Sequence, residues 1–406
     1  MNAADTASSP LLAPYALAAL DLPSRVVMAP MTRFRADRRG VPTPMMAVYY
    51  AQRASAGLIV SEGVWPSVQG QQYLTEPGLA TDEQVAAWRT VTDAVHAAGG
   101  RVFAQIMHAG RNGHPANRID GGTPLAPSAV PLTAPMHTLE GKRAPVAPRA
   151  MSTAEVGQAA ADHAAAARNA LRAGFDGVEI HGANSYLPHQ FLADNTNLRG
   201  DAYGGTAVNR ARFVIELAEA VADAVGAERV GLRLAPGNPE NEMVEADPAP
   251  VYRTALAAID RLGLAYLHLT DGADYPALAD LRPHWSGALV GNTGEHEVTT
   301  LESAERLISE RGADLVSIGR PYIATPDLTE RIAAGVPWSL PEGDFHYGAG
   351  ERDYIDYPRA VPEPAAAVRP PPRAPDGLLG KGVNRTARRG RRTPWRCPPG
   401  PRTGGR

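Results

Sequence analysis

The stretch MSTAEVGQAAADHAAAARNALRAGFDGVEIHGA (151–183) contains one helix and one strand in succession and decides the fold. Ser152 and Glu155 have the spacing of a capping box, which predicts the start of an Ala-rich helix. Gly174 can take the left-handed conformation that ends such a helix. The apolar run GVEIHGA (177–183) follows, and near-continuous hydrophobicity is typical of a parallel strand buried on both faces.

Similar units occur on both sides of this stretch. The predicted strands are RVVMAP (25–30), LIVSEGV (58–64), RVFAQIMH (101–108), GVEIHGA (177–183), VGLRLAP (230–236), YLHLTD (266–271), ALVGN (288–292) and LVSIGR (315–320). The clearest helical patterns lie at 82–98, 152–173, 207–225, 249–262 and 298–311. Gly99, Gly174, Gly263 and Gly312 each follow a helix. This alternation predicts an α/β fold, a single closed (β/α)8 TIM barrel.

Two segments stand outside this alternation. Residues 109–150, after the third strand, form a long stretch rich in Pro and Gly that we expect to be helix-free and to cover the active site. Residues 361–406 are rich in Pro and Arg and poor in large apolar residues, which predicts disorder. The sequence thus predicts a barrel domain at 1–360 and a tail at 361–406. A basic tail can contact nucleic acid or membrane, but a solvated, inert extension is the favoured interpretation.

The composition argues against several classes of protein. With 44% hydrophobic and 20% charged residues the chain is an ordinary globular protein, and its net charge of −3 provides no basic field for nucleic acid or an anionic membrane. We find neither a signal-peptide pattern nor an apolar run approaching the roughly 18 residues of a membrane helix. The single cysteine, Cys397, excludes an internal disulfide framework, iron–sulfur ligation and a cysteine-built zinc site. We expect a cytoplasmic monomer or homodimer with no metal.

Polar residues and glycines stand where the predicted strands end, and in a TIM barrel these positions carry the chemistry. They are Thr32, Gly63, Gln105, His181, Asn184, Tyr186, Arg233, Gly291, Asn292, Gly319 and Arg320. Because an unpaired buried charge costs several kcal/mol, Arg233 in VGLRLAP must meet an anion, a polar ligand or a carboxylate. A structural ion pair is the alternative interpretation.

Two local patterns indicate ligand chemistry. Gly291, Gly319 and Arg320 follow the last two strands, where barrels commonly bind phosphate, although a tight turn with a surface arginine would look the same. In HGANSYL (181–187), His181 and Asn184 can donate to one oxygen, and Tyr186 can deliver a proton to a carbanion beside that carbonyl. Alternatively, the histidine and asparagine satisfy the backbone of their own loop.

The chain resembles the old yellow enzyme family of FMN-dependent ene-reductases. The similar stretches are RVVMAPMTRFRA (25–36), LIVSEGV (58–64), AQIMHAGRNGHP (104–115), AGFDGVEIHGANSYLPHQFL (173–192), NTNLRGDAYGGTAVNRARF (195–213), VGLRLAP (230–236), SIGRPYIATPDL (317–328) and YIDYP (354–358). They follow the family's order and cover about residues 15 to 358. The combination of HxxNxY with DxYGG and NR is the most specific part of the resemblance.

The resemblance implies a cofactor site and a substrate site. FMN would be bound by Pro30, Met31, Thr32, Gly63, Gln105, Arg233, Gly291, Asn292, Gly319 and Arg320. In the family's pattern Thr32 bonds the flavin C4 oxygen, Gln105 reads the pyrimidine edge and Arg233 lies beside N1 and the C2 oxygen. The substrate would contact His181, Asn184, Tyr347 and Met107.

The activity that this resemblance implies is the reduction of activated C=C bonds in α,β-unsaturated carbonyl or nitro compounds. NADPH or NADH would bind transiently and give hydride to flavin N5, which passes it to the β-carbon while Tyr186 protonates the α-carbon. The same barrel could instead act on nitro esters, or as a biosynthetic reductase, isomerase or oxidase. A non-enzymatic scaffold that binds a polyanion through its tail is the alternative from another class.

Three departures from the family pattern stand out. Met107 occupies a position that often holds tryptophan, so the resemblance does not fix the shape of the pocket or the facial selectivity of reduction. The APMTR segment lacks the cysteine by which one branch of the family tunes its flavin. The chain also lacks the cysteine cluster of the related iron–sulfur dienoyl reductases.

Overall fold

Eight parallel strands close into one barrel in this computed structural model, which describes residues 9–271, 275–294, 297–342 and 350–361. The strands are β1 (Val26–Met28), β2 (Leu58–Val64), β3 (Val102–Ile106), β4 (Gly177–Gly182), β5 (Val230–Leu234), β6 (Tyr266–Thr270), β7 (Ala288–Asn292) and β8 (Leu315–Ile318). Each pairs with its neighbour in sequence, and β8 pairs with β1 to close the ring. The predicted TIM barrel is therefore confirmed.

The barrel strands are hydrophobic along almost their whole length because both of their faces are buried. Every strand residue except the half-buried Ala288 is withdrawn from solvent. Alternate side chains point to the surrounding helices and to the barrel interior. At the amino-terminal end of the strands the interior is apolar, and Leu17 and Leu22 of the hairpin Tyr15–Leu17/Leu20–Leu22 pack into it. The polar interior residues lie nearer the opposite end.

Helices surround the strands. They are α1 (Pro44–Ala51), α2 (Asp82–Ala97), α3 (Thr153–Arg172), α4 (Leu187–Leu192), α5 (Ala207–Val225), α6 (Pro248–Ile259), α7 (Ala277–Leu281), α8 (Leu301–Ser309), α9 (Arg320–Ala324) and α10 (Leu328–Ala334). The capping box of Ser152 and Glu155 is present. Gly99, Gly174, Gly263 and Gly312, which follow helices, have positive φ angles of 83°, 88°, 70° and 72°.

The helical predictions differ most from the structure at two ends, where the helix is three residues shorter than predicted. Helix α8 begins at Leu301 rather than at 298, because Thr300 caps it and exchanges hydrogen bonds with Ser303. Helix α6 ends at Ile259, and the last predicted turn, Asp260–Leu262, is a 3₁₀ turn that stops at Gly263. The alternating pattern identifies both helices, whereas capping interactions fix where they begin and end.

The segment 109–150 is not free of helix, which corrects the prediction. It contains single 3₁₀ turns at Gly110–Asn112 and Pro115–Asn117, and the proline starts the second turn. An antiparallel hairpin follows, in which Met136–Thr138 pairs with Gly141–Arg143. The hairpin brings His137, Thr138 and Leu139 to the carboxyl end of the barrel, as the predicted cover requires.

The predicted tail lies almost wholly outside the described residues, so the domain boundary near 360 stays a prediction. No helix in the described ranges is both long and apolar enough to cross a membrane. Within the same ranges no group of three or more His, Cys, Asp or Glu side chains could hold a metal ion.

Candidate active site

A cavity of about 1170 Å³ opens at the carboxyl ends of the strands and collects most of the predicted site residues. Those that line it are Pro30, Met31, Thr32, Gln105, Met107, His181, Asn184, Tyr186, Arg233, Asn292, Gly319 and Arg320. Gly63 and Gly291 do not line it, and Tyr347 lies outside the described residues. The fold therefore brings most of the predicted site residues to one cavity, and their roles there stay predictions.

The two glycines beside the cavity make room for neighbouring side chains. A Cβ at Gly63 would lie 2.5 Å from Sδ of Met107, so Gly63 provides the space in which that thioether packs. A Cβ at Gly291 would point outward and lie 3.0 Å from Leu278 and from Ala313. Gly291 therefore allows close packing between β7 and the outer helices. Direct FMN contact by these two glycines stays a prediction.

Arg233 provides an unpaired positive charge at the mouth of the barrel. The residue is 7% exposed, its Nε is buried without a hydrogen-bond partner, and Nη2 reaches Thr270 Oγ1 only at 3.5 Å. It lies beside His181, its partner in the ladder between β4 and β5. Arg233 forms no ion pair with any residue that the structure describes. The described residues therefore do not support the alternative that Arg233 is part of a structural ion pair. A buried guanidinium with unused donors fits a polar or anionic ligand.

A buried hydrogen-bond network orients the amide of Gln105. Gln105 Nε2 donates to Glu179 Oε1 at 2.8 Å, while Glu179 Oε2 accepts from Tyr266 at 3.1 Å and from His268 Nδ1 at 2.9 Å. His268 Nε2 lies 2.7 Å from Ser317 Oγ. Burial opposes ionisation of Glu179, but His268 and Arg233 hold the pKa of this carboxyl below its ordinary value. Because the amide nitrogen of Gln105 donates to Glu179 in the barrel interior, the amide oxygen is left to accept a hydrogen bond from a ligand in the cavity.

His181 and Asn184 reach the cavity because the chain turns sharply after β4. Asn184 and Ser185 have φ angles of 53° and 62°, a left-handed conformation that asparagine tolerates well. Burial and the charge of Arg233 keep the pKa of His181 well below its ordinary value, so its imidazole is neutral. Its Nδ1 accepts weakly from the backbone N–H of Ala183 at 3.4 Å, which favours a proton on Nε2.

Asn184 donates across the cavity rather than to its own loop. Its Nδ2 is 3.0 Å from Glu240 Oε2, and its Oδ1 is buried without a partner. Tyr186 follows at the start of α4, with its ring centroid 4.6 Å from that of His181. The Tyr186 hydroxyl donates to Gln72 Oε1 at 2.9 Å. Two neutral donors and a phenol thus share one wall.

The last two strands provide an open corner of the cavity. A Cβ at Gly319 would be no closer than 3.7 Å to any neighbour, so the backbone there is accessible to a ligand. Arg320 is exposed and donates to the carbonyl of Glu297 at 3.3 Å. Gly294, with φ of 96°, also lines this corner. Accessible backbone beside a guanidinium suits phosphate oxygens.

Sequence reasoning missed the contributions of the loops. Gln72 and Tyr73 come from the loop after β2, and Glu240 and Asn241 come from the loop after β5. The polar run QGQQY (69–73), which begins five residues after the end of β2, was the available signal for the first pair. The second pair shows no comparable pattern in the sequence.

Two carboxyl groups are buried beside the cavity, and they predict a pH-dependent stability. Burial raises the pKa of Glu62 to about 7 and that of Glu76 to about 8. Between pH 5 and 8 the folded chain therefore holds protons that the unfolded chain has lost, so stability falls as the pH rises. Replacing Glu76 by Gln keeps the shape and removes the ionisable group. We expect this variant to be more stable than the wild type at pH 8.5, by about 1–3 kcal/mol.

Urea denaturation at pH 5.5 and pH 8.5 measures this effect. Glu302→Gln, at an exposed position on α8, is the matched control and should follow the wild type. An E76Q protein that lost as much stability with rising pH as the wild type would contradict the assignment.

Comparison with known proteins agrees with this geometry. Residues 10–338 match the model of the NADH:flavin oxidoreductase / NADH oxidase family. A probable flavin mononucleotide-dependent alkene reductase of Leishmania infantum is 40% identical over 368 residues, which cover 88% of this chain and 100% of that protein.

Two solved structures have the same fold. The old yellow enzyme homologue from Zymomonas mobilis is 38% identical with a TM-score of 0.82, covering 86% of this chain and 99% of that one. Morphinone reductase in complex with tetrahydroNAD is 40% identical with a TM-score of 0.82, covering 86% and 98%. These matches confirm the family resemblance, FMN as the cofactor and a nicotinamide as the hydride donor. The chain belongs to the NADH:flavin oxidoreductase / NADH oxidase family and is an FMN-dependent NAD(P)H oxidoreductase of the old yellow enzyme type.

Proposed function

We propose that this enzyme reduces the C=C bond of α,β-unsaturated carbonyl or nitro compounds. The supporting observation is that one cavity mouth holds the guanidinium of Arg233, the two neutral donors of His181 and Asn184, and the hydroxyl of Tyr186. When bound, FMN supplies the hydride. The residues around it bind, polarise and protonate the substrate.

The residues present fit FMN at three places. Gln105 offers a fixed carbonyl oxygen, which suits the N–H of a pyrimidine edge, and Arg233 offers unused donors to an electron-rich edge. Gly319 and Arg320 provide open backbone and a guanidinium for the phosphate. The cavity volume of about 1170 Å³ leaves space for a substrate beside the cofactor.

The substrate oxygen belongs between His181 and Asn184. Both are neutral donors in a buried wall, where hydrogen bonds to a developing negative charge are stronger than in water. Polarising the oxygen makes the β-carbon electrophilic. A carbanion then develops at the α-carbon, and the Tyr186 hydroxyl provides its proton.

Removing the charge of Arg233 tests the cofactor site without measuring turnover. In an Arg233→Met variant we expect the affinity of the apoprotein for FMN to fall by roughly 10- to 100-fold, since a hydrogen bond to a charged group is lost. Quenching of flavin fluorescence on titration measures this affinity. Arg261→Met, which alters an exposed arginine in the turn after α6, should leave it unchanged. Equal affinities for FMN in R233M and the wild type would show that Arg233 does not bind the cofactor.

Product analysis tests the proposed reaction. With NADPH or NADH and cyclohexenone we expect cyclohexanone in a one-to-one ratio to the nicotinamide consumed when oxygen is excluded; in air, oxygen takes up part of the hydride, so the ratio falls while cyclohexanone is still formed. A parallel assay with a nitrate ester separates the alternative, because the donor pair of His181 and Asn184 also suits a nitro group. If only the nitrate ester or only oxygen were reduced, alkene reduction would not be this enzyme's reaction.

A further inference from the structure

The proposed proton donor has a fixed partner that sequence reasoning did not identify. The hydroxyl of Tyr186 donates to Oε1 of Gln72 at 2.9 Å, although the two residues are 114 positions apart in the chain. Gln72 comes from the loop after β2, whereas Tyr186 comes from the turn after β4. The contact therefore depends on the folded barrel and lies inside the cavity that both residues line.

Gln72 is held in position by its surroundings. The residue is 9% exposed, and its backbone N–H donates to Oε2 of Glu76 at 3.1 Å. Trp65 donates to the carbonyl of Glu76 at 3.0 Å, which fixes the far side of the same loop. Gln71 accepts from the backbone of Ile119 at 2.9 Å and ties the loop to the segment after β3. The Gln72 amide is thus presented to Tyr186 by an anchored loop.

We propose that Gln72 is a positioning residue for proton transfer, which acts by stabilising both protonation states of Tyr186. This inference rests on the proposed role of Tyr186 as the proton donor. A primary amide has an acceptor oxygen and two donor N–H groups on one rotatable plane. The oxygen of Gln72 accepts from the neutral phenol, as the structure shows. After a half-turn of the amide, an N–H donates to the phenolate.

The proton balance of the step is simple. The O–H bond of Tyr186 breaks as the C–H bond at the substrate's α-carbon forms, and a negative charge remains on the phenolate oxygen. Gln72 stabilises that charge by an N–H donor but gives up no proton itself. A water molecule then protonates the phenolate, and the hydroxide left behind is neutralised by the buffer.

Two variants separate the acceptor from the donor function of the amide. Gln72→Leu removes both functions, and we expect cyclohexenone to reoxidise the NADPH-reduced holoenzyme roughly 10-fold more slowly, since a hydrogen bond to a charged group is lost. Gln72→Glu keeps an acceptor oxygen but loses the N–H donors, and at about pH 9, where a buried carboxyl is ionised, its charge opposes a phenolate, so we expect a loss of about 100-fold there. Reoxidation by ferricyanide needs no proton on carbon, so it should change less than about twofold in either variant.

Gln69→Leu is the matched control. This exposed glutamine lies in the same loop and contacts Arg118 rather than Tyr186. It should leave both reoxidation rates unchanged. The double variant Tyr186→Phe/Gln72→Leu should be no slower with cyclohexenone than Tyr186→Phe alone, because Gln72 acts only through the tyrosine hydroxyl.

The outcomes distinguish the role of Tyr186 as proton donor from the role of Gln72. If Tyr186→Phe reacts with cyclohexenone at the wild-type rate, the proton-donor assignment fails, and the role of Gln72 fails with it. If Tyr186→Phe is slow but Q72L and Q72E react as the wild type does, only the Gln72 proposal is overturned. Equal slowing with cyclohexenone and ferricyanide would also overturn it, since that pattern indicates a structural loop contact. Should Q72L fail to fold with FMN, Q72E decides between these outcomes.

Discussion

Replacing Tyr186 by phenylalanine is expected to slow alkene reduction by about 10²- to 10⁴-fold, the range that a positioned general acid contributes. The substitution removes one hydroxyl and keeps the ring that lies 4.6 Å from the ring of His181. The substrate oxygen should therefore still bind, while the α-carbon loses its proton source. Reduction of the enzyme by NADPH or NADH needs no such proton and should remain near the wild-type rate.

Rapid mixing of the two half-reactions measures this difference directly. Tyr203→Phe is the matched control, because that hydroxyl donates to Glu216 on α5, and Tyr203 does not line the cavity. Equal slowing of both half-reactions in Y186F would indicate damage to the site as a whole and would refute the assigned role.

The second large effect is expected from the donor pair. Removing one donor to a developing oxyanion typically costs about 10²- to 10³-fold in rate. We expect losses of this size in kcat/KM for cyclohexenone in both His181→Leu and Asn184→Gly. Glycine is the better choice at 184, because it removes the amide and accepts the φ angle of 53° without strain.

Steady-state kinetics with cyclohexenone and stopped-flow reoxidation by ferricyanide test the pair together. Ferricyanide needs no carbonyl activation, so the rate at which it reoxidises the reduced enzyme should be the same in both variants as in the wild type. Since the pKa of His181 is well below its ordinary value, its titration should not shape the rate with alkene near neutral pH. Losses below about threefold in both variants would show that the substrate oxygen binds elsewhere.

The barrel was predictable because its physical cause is visible in the sequence. A strand with two buried faces must be apolar along its length, so runs such as LIVSEGV (58–64) predict strands directly. Helix ends were less predictable. Thr300, not the apolar pattern, sets the start of α8, and a 3₁₀ turn at Asp260–Leu262 shortens α6.

The site was predictable where a side chain sits on a strand end. Arg233 and Gln105 point into the mouth because their strand positions leave no other direction. The role of Gly291 was harder to predict. A glycine shows that space is needed beside the strand, but not whether that space lies in the cavity or against the outer helices. Loop residues were the least predictable. Gln72 meets Tyr186 only after strands far apart in sequence have closed the barrel.

The central claim is that this cavity transfers hydride from a nicotinamide to an alkene by way of bound FMN. An anaerobic titration of the purified yellow protein, followed by its visible absorbance, tests that claim most directly. We predict that NADPH or NADH bleaches the flavin absorbance and that cyclohexenone restores it. A protein that is colourless as purified and binds no added FMN, or one that stays bleached after cyclohexenone is added, would contradict the account.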